Sequence, residues 1–219
     1  SGGVAFLMKK SKIEVIYGEG SLEKGNVLNV KDKSGVSTRY TFKDIIIATG
    51  ARPRPIPNVD IDGEFIHTSR TILDCRKQPK KLLVIGAGAI GIEFAYFFQA
   101  LGTEVTVVEM LEQILPVEDT EIAQGLQKIF QKSGMAVHTG ASVQGLKKEA
   151  SGVMATIKKK DGEEQWQGDA CLVAIGLFPN TENIGLEAAG IKADRGFIKV
   201  DEFMRTSSAH HFAIGDVVG

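Results

Sequence analysis

The stretch "VIGAGAIGIE", Val84–Glu93, constrains this chain more than any other ten residues. It sets Gly86-x-Gly88-x-x-Gly91 between an apolar run, "KLLVIG", and an apolar helical period. Gly86 permits a tight turn off a strand. Gly88 leaves the backbone bare for a close approach, and Gly91 lets the next helix pack against the sheet. The spacing predicts strand, turn and helix, with Gly86, Ala87, Gly88, Ala89, Ile90 and Gly91 forming a loop that seats a pyrophosphate on helix N-terminal amides.

The flanks put that motif in a parallel α/β unit. Ile90, Phe94, Phe97, Phe98 and Leu101 fall on one helical face, and Gly102 ends the helix. "EVTVVE" (104–109) reads as a second strand, Ile122, Leu126, Ile129 and Phe130 as a second helix, and "MAVH" (135–138) as a third strand. Short links between these elements imply a right-handed βαβαβ arrangement. The fold class is therefore α/β, a Rossmann-like NAD-binding domain with parallel sheet, helices and a β-meander.

Glu109 stands 23 residues after Gly86. A carboxylate at the end of the second strand accepts hydrogen bonds from ribose hydroxyls and repels a 2′-phosphate. "MLEQIL" (110–115) holds no Arg or Lys and one further acid, Glu112, whereas a phosphate-accepting site wants a cation nearby. The residues favour NAD(H) over NADP(H). Glu93 is expected on the first helical turn, where a negative charge suits the dipole. Its alternative is a side chain at the cofactor edge, facing whatever exchanges electrons with the nicotinamide.

Elsewhere "IEVIYGEG" (13–20), "NVLNVKD" (26–32) and "VSTRYTF" (36–42) read as a meander. "DIIIATG" (44–50) reads as a strand buried on both faces, and the prolines of "ARPRPIPNVD" (51–60) as a stiff irregular connector. A second meander spans roughly 142–167 and precedes another apolar run, "DACLVAIG" (169–176). Each run is Asp, apolar strand, then Gly, continuing into "GARP" and "GLFP". Either two buried strands coincide, or the chain holds parts of two related domains, the first of which has lost its start. On the second reading this chain is a fragment.

A net charge of −1 gives no drive toward nucleic acid or an acidic membrane. No apolar run is long enough to span a bilayer. Residues 1–10 lack the long apolar core and cleavage site of a signal peptide. Cys75 and Cys171 have no metal or CxxC spacing, so both are expected reduced and packed, in the cytoplasm or, in a eukaryote, the mitochondrial matrix. No metal site is expected.

Taken together, "VIGAGAIGIEFA", "LGTEVTVVEMLEQILPVEDTEI", "VAIGLFPNT", "IIIATGARPR" and "FAIGDVVG" resemble the flavoprotein disulfide reductases, over nearly the whole chain and in that family's order. Within the family the Glu109 segment points to members that oxidise dihydrolipoyl groups. The resemblance implies an NAD domain (69–195) inserted into an FAD domain, of which 1–68 is one part and 196–219 the return segment. It implies that Thr49 and Gly50 lie by the flavin, that Gly215 and Asp216 contact it, and that Gly176 lies near the nicotinamide. Glu93 matches the family glutamate at the nicotinamide–flavin junction. The parent so implied passes electrons from a dihydrolipoyl dithiol through a disulfide and FAD to NAD⁺. It is a homodimer and a component of 2-oxo acid dehydrogenase complexes.

The chain also departs from the family pattern. The amino-terminal FAD glycine motif, the CxxxxC redox pair and the carboxy-terminal His–Glu base are not in it. Leu177 stands where many relatives have Arg, and His67, His138, His210 and His211 match no family catalytic position. The chain alone is therefore expected to be inactive. Alternatives are a piece of an NADH oxidase or ferredoxin reductase type of flavoenzyme, or a non-catalytic dinucleotide-binding module. A Tyr-x-x-x-Lys dehydrogenase is excluded, because Ser21, Asp44 and Ala100 follow Tyr17, Tyr40 and Tyr96 at that spacing.

Overall fold

The computed structural model describes residues 2–219. It begins with α1 (Gly2–Lys10) and a meander of β1 (Glu19–Glu23), β2 (Val27–Lys31) and β3 (Ser37–Thr41). Three short strands follow, β4 (Ile45–Ile47), β5 (Ala51–Pro53) and β6 (Ile66–Thr68). Then come β7 (Lys81–Ile85), α2 (Ala89–Ala100), β8 (Glu104–Val108), α3 (Thr120–Lys132) and β9 (Ala136–His138). A second meander of β10 (Ser142–Glu149), β11 (Gly152–Lys159) and β12 (Gly162–Gly168) leads to β13 (Ala170–Val173) and β14 (Leu177–Pro179). β15 (Ala193–Asp194), β16 (Phe197–Ile198) and β17 (His211–Ala213) are the last strands.

These elements form two compact units, Arg52–Phe178 and the remainder on either side of it. In the 52–178 unit a parallel sheet runs β6-β13-β7-β8-β9. The period-2 alternation of β7 decides its layers. Leu82 and Val84 face the core with Ile92, Ala95 and Phe98 of α2 and with Ala123 and Phe130 of α3. Leu83 and Ile85 face the second meander through Val153, Ala155, Ile157 and Trp166. The sheet is thus covered on both sides, as an all-parallel sheet requires. Burial raises the Cys171 thiol pKa well above its ordinary value, and this free cysteine packs with Leu83 and Val173.

In the other unit β4 and β17 pair in parallel. Leu22, Ile47, Ile191, Ile198, Ala213 and Val217 form its core. The two repeated aspartates both hold strand starts. Asp169 Oδ2 accepts N–H groups of Lys80 (2.6 Å) and Lys81 (2.7 Å) at the start of β7. Asp44 Oδ1 lies 2.9 Å from His210 Nδ1, next to β17.

Several sequence expectations are corrected. The units divide at residues 51/52 and 178/179. The sequence places its boundaries at 68/69 and 195/196 instead; in the structure β6 joins the parallel sheet beside β13, while Ile184, Leu186 and Ile191 pack with Leu22 and Ile47. The first strand starts at Glu19 rather than Ile13, because its partner β2 ends at Lys31, where the Asp32 carboxylate turns the chain by accepting Ser34 and Val36 N–H groups. Residues 2–10 form a helix that the sequence reading did not anticipate, and it buries no side chain. Ile46 is 62% exposed, so β4 is not covered on both faces. Proline does not keep Ala51–Pro53 out of a strand, since Pro53 is the last residue of β5, where a missing N–H costs least.

The helix faces also differ. α2 packs through Gly91, Ile92, Ala95 and Phe98, leaving Phe97 and Leu101 each 53% exposed. α3 packs through Ala123, Leu126 and Phe130, with Ile122 and Ile129 exposed. In a helix apolar nearly all round, periodicity does not choose the arc. The small residues Gly91 and Ala95, which allow close approach to the sheet, choose it.

Candidate functional site

The glycine loop lies at the carboxyl end of β7, between β13 on one side and β8 on the other. This is the point where chain order along the sheet reverses, and crevices there take ligands in open α/β sheets. Gly86 has φ +97°, and a Cβ on it would lie 2.5 Å from the Ala174 carbonyl oxygen just past β13. Only glycine fits. A Cβ on Gly91 would run into the Gly86 carbonyl oxygen, so the helix sits directly on the turn. Gly88 is the opposite case. No atom of the described residues lies within 4 Å of a Cβ built there, so space opens in front of the helix.

Gly88 is the N-cap of α2 and has no side chain to close it. The first-turn N–H groups of Ala89, Ile90 and Gly91 have no intrahelical acceptor. They combine with the helix dipole to present positive potential to that open space. Ala87 is engaged differently. Its N–H donates to Glu109 Oε2 at 2.7 Å, and its carbonyl accepts from Leu115 N at 2.7 Å. Its N–H is already paired within the protein, unlike the N–H groups of Ala89 and Ile90.

Glu109, 9% exposed at the end of β8, also accepts Leu111 N–H on Oε1 at 2.9 Å. Each carboxylate oxygen therefore has one fixed donor and a lone pair left over. This geometry holds the carboxylate in one rotamer beside the glycine loop.

Glu93 is exposed and is the fifth residue of α2. The helix starts at Ala89, so Glu93 begins the second turn and not the first. The dipole, which fades within the first turn, no longer accounts for it. Gly176 has φ +105° and, its chain neighbours aside, no atom of the described residues within 4 Å of a Cβ; it lies beyond β13, where its carbonyl accepts Arg54 N–H at 2.9 Å. Phe178, two residues on, is covered by the guanidinium groups of Arg52 and Arg54, 5.4 and 4.7 Å from its ring.

In the other unit Thr49 and Gly50 follow β4, and Gly215 and Asp216 follow β17. The parallel pairing brings these ends to one edge, joined by Ile214 N donating to Ile47 O at 3.0 Å. Gly50 (φ +68°) and Gly215 (φ +76°) bend both strand ends, and Asp216 is exposed there. Asn180 ties the first end by donating N–H to Gly50 O and side-chain N–H to Thr49 O, each at 2.9 Å.

The family model described as pyridine nucleotide-disulphide oxidoreductase matches residues 1–219. The chain belongs to the pyridine nucleotide-disulphide oxidoreductase family. Among the relatives in this family, dihydrolipoyl dehydrogenase of Zymomonas mobilis subsp. mobilis is 47% identical over 220 residues, covering 100% of this chain and 47% of that protein. The dihydrolipoyl dehydrogenase of Rhizobium etli is 43% identical over 235 residues, covering 100% of this chain and 49% of its own. The crystal structure of LpdA from Mycobacterium tuberculosis superposes with TM-score 0.88 at 30% identity, covering 100% of this chain and 49% of that one. The flavoprotein disulfide reductase RclA of Escherichia coli gives TM-score 0.81 at 29% identity, over 98% of this chain and 50% of that one. The chain spans about half the length of the curated relatives it matches.

His67, His210 and His211 of this family member make contacts within the fold. His67 is buried and donates from Nε2 to Glu64 O at 3.1 Å, and burial lowers its pKa. His211 donates from Nδ1 to Ala209 O at 2.7 Å and meets Phe42 edge-on. Burial, then Lys159, lowers the pKa of His138. The Cys75 thiol donates to Lys77 O at 3.0 Å. Among the described residues there is no group of His, Cys, Asp and Glu that could hold a metal, and no helix is long and apolar enough to cross a membrane.

One feature escaped the sequence reading. Residues 110–115 carry no cation, yet Lys158, Lys159 and Lys160 line a cleft with Met110, directly after Glu109. Lys158 and Lys159 end β11 and Lys160 opens the turn after it, and no local signal could have placed them there.

Proposed function

We propose that the 52–178 unit binds NAD(H), as part of a parent protein that oxidises dihydrolipoyl groups through a disulfide and FAD and reduces NAD⁺. The observation that carries this reading is Glu109. Its carboxylate is fixed by Ala87 and Leu111 N–H groups beside a helix N-terminus that nothing caps. Spare lone pairs accept the two ribose hydroxyls, and the N–H groups of Ala89 and Ile90 receive the pyrophosphate across bare Gly88. The side chain of Glu109 repels a 2′-phosphate. Gly176 leaves room for the nicotinamide, and Glu93 acts at that end of the bound cofactor.

In the other unit Thr49, Gly50, Gly215 and Asp216 fit a flavin nucleotide. Two glycine-bent strand ends expose backbone to it, and Asp216 accepts from a ribityl hydroxyl. Bound NAD⁺ and FAD supply the hydride and electron chemistry, while these residues bind and orient. The redox pair CxxxxC is not in this sequence, so turnover needs parts of the parent beyond it. The parent is read as a homodimer working in 2-oxo acid dehydrogenase complexes, in the cytoplasm or the mitochondrial matrix.

The single tryptophan, Trp166, is buried beside the same sheet with Nε1 donating to Thr106 Oγ1 at 3.2 Å. Its emission is a built-in reporter of reduced nicotinamide. Titration of the 219-residue chain should give saturable quenching by NADH and binding of NADPH at least about tenfold weaker, the scale of one misplaced buried charge. Equal affinities would overturn the assignment to Glu109. Steady turnover of dihydrolipoamide and NAD⁺ by this chain with added FAD would overturn its expected inactivity.

A further inference from the structure

The acid that follows Glu109 has a partner distant in sequence. Gly140 N donates to Leu111 O at 2.8 Å and Ala141 N to Glu109 O at 2.9 Å. The turn after β9 is thereby fixed alongside the residues that end β8. A cleft of about 270 Å³ lies there, lined by Met110, Gly140, Ala141, Lys158, Lys159 and Lys160. Lys159 pairs with Glu164, and Lys160 Nζ lies 3.0 Å from Glu112 Oε2. Gly140 (φ +61°) lies beneath this second pair. A Cβ on it would be 3.2 Å from Glu112 Oε2 and 3.3 Å from Lys160 Cε, so bare backbone makes the seat.

Three residues of extended chain span at most about 11 Å. The backbone of Glu112 therefore lies well within a Debye length of Glu109 at about 0.01 M salt, where that length is roughly 30 Å, and near its limit at physiological salt, where it is about 8 Å. Lys160 brings to the ribose end of the site the kind of charge that pairs with phosphate, and Glu112 cancels it.

We propose that Glu112 is a second determinant of the preference for NAD(H): by pairing with Lys160 it neutralises a cation that would otherwise attract the 2′-phosphate of NADP(H). The proposal rests on the NAD(H) reading of this site. Discrimination then has two parts, repulsion by Glu109 and cancellation by Glu112, which is specificity through the rejected ligand as well as the accepted one. Both partners are exposed, with side-chain accessibilities of 74% for Glu112 and 73% for Lys160. Such pairs add little stability, so variants here should fold.

The test measures NADPH and NADH dissociation constants by Trp166 quenching and by calorimetry. The proteins are the unaltered chain, Glu112→Gln, and Glu112→Gln combined with Lys160→Gln, each at low and high salt. Glu112→Gln should shift the ratio about fivefold toward NADPH at low salt, the effect of one surface charge at this range, and less at high salt. The double variant should return to the starting ratio. An unmoved ratio in Glu112→Gln, or a gain that survives Lys160→Gln, overturns the proposal while NADH binding leaves the parent reading standing. Failure of the unaltered chain to bind NADH overturns both.

Discussion

The two helices of the parallel unit start in opposite ways. α3 is closed by its own chain: the Asp119 carboxylate accepts the N–H groups of Glu121 (2.9 Å) and Ile122 (3.3 Å). α2 begins at Gly88 with no side-chain acceptor and open space ahead of it. Both helices lie on one face of one sheet, and both carry the same backbone dipole. A helix that serves only the fold satisfies its first turn internally. One that leaves those amides bare, at the carboxyl edge of a strand and behind a glycine turn, has the form of an anion seat, which is how the proposed function uses it.

The largest effect expected from disturbing this contrast comes from Gly86→Val. It combines a disallowed φ with a Cβ 2.5 Å from the Ala174 carbonyl oxygen. The loss should be about 3 kcal/mol or more, seen as a lower midpoint in thermal or urea unfolding, together with loss of NADH binding. A stable Gly86→Val chain that still binds would break the account of the turn.

A sharper probe gives α2 the start that α3 has. Gly88 has φ −69° and ψ −178°, which any residue adopts, so Gly88→Asp can cap the helix in place. Stability should hold or rise by a few tenths of a kcal/mol, while NADH affinity falls about tenfold or more as a carboxylate takes the phosphate's place. Unchanged affinity would mean those amides are not what the nucleotide uses. The smallest effect is the reciprocal one. Asp119→Ala should cost about 1 kcal/mol in unfolding free energy and leave the NADH dissociation constant where it was. A drop in affinity there would erase the distinction between the two helix starts.

The local geometry of the glycine loop and Glu109 was more legible in the sequence than the packing. Gly86, Gly88, Gly91 and Glu109 are held by backbone constraints that act over a few residues, and a fixed spacing expresses such constraints directly. Which of Phe97, Phe98 and Leu101 is buried depends on where α2 meets the sheet, and hydrophobic period alone does not contain that information. Ile13–Tyr17 alternates like a strand, but pairing stops at Glu19 because β2 runs out at Lys31. Glu93 moved to the second turn because α2 starts at Ala89, three residues after the first glycine. The ion pair of Glu112 joins residues from two separate strand ends, and only the fold brings Lys160 to it.

The order of strands in the parallel sheet bears on how this protein comes into being. β13 is the last strand of that sheet to be synthesised, yet it inserts between β6 and β7, pairing Cys171 with both Ile66 and Leu83. Until it arrives, β6 has no neighbour in the sheet, and Gly86 has no Ala174 behind it. A nascent chain can complete the fingerprint turn and both helices and still lack one wall of the crevice. The wall that Ala174 gives the proposed nucleotide crevice therefore forms only once residues 170–174 have been made, well after the glycine turn itself, and they must enter the middle of a half-built sheet.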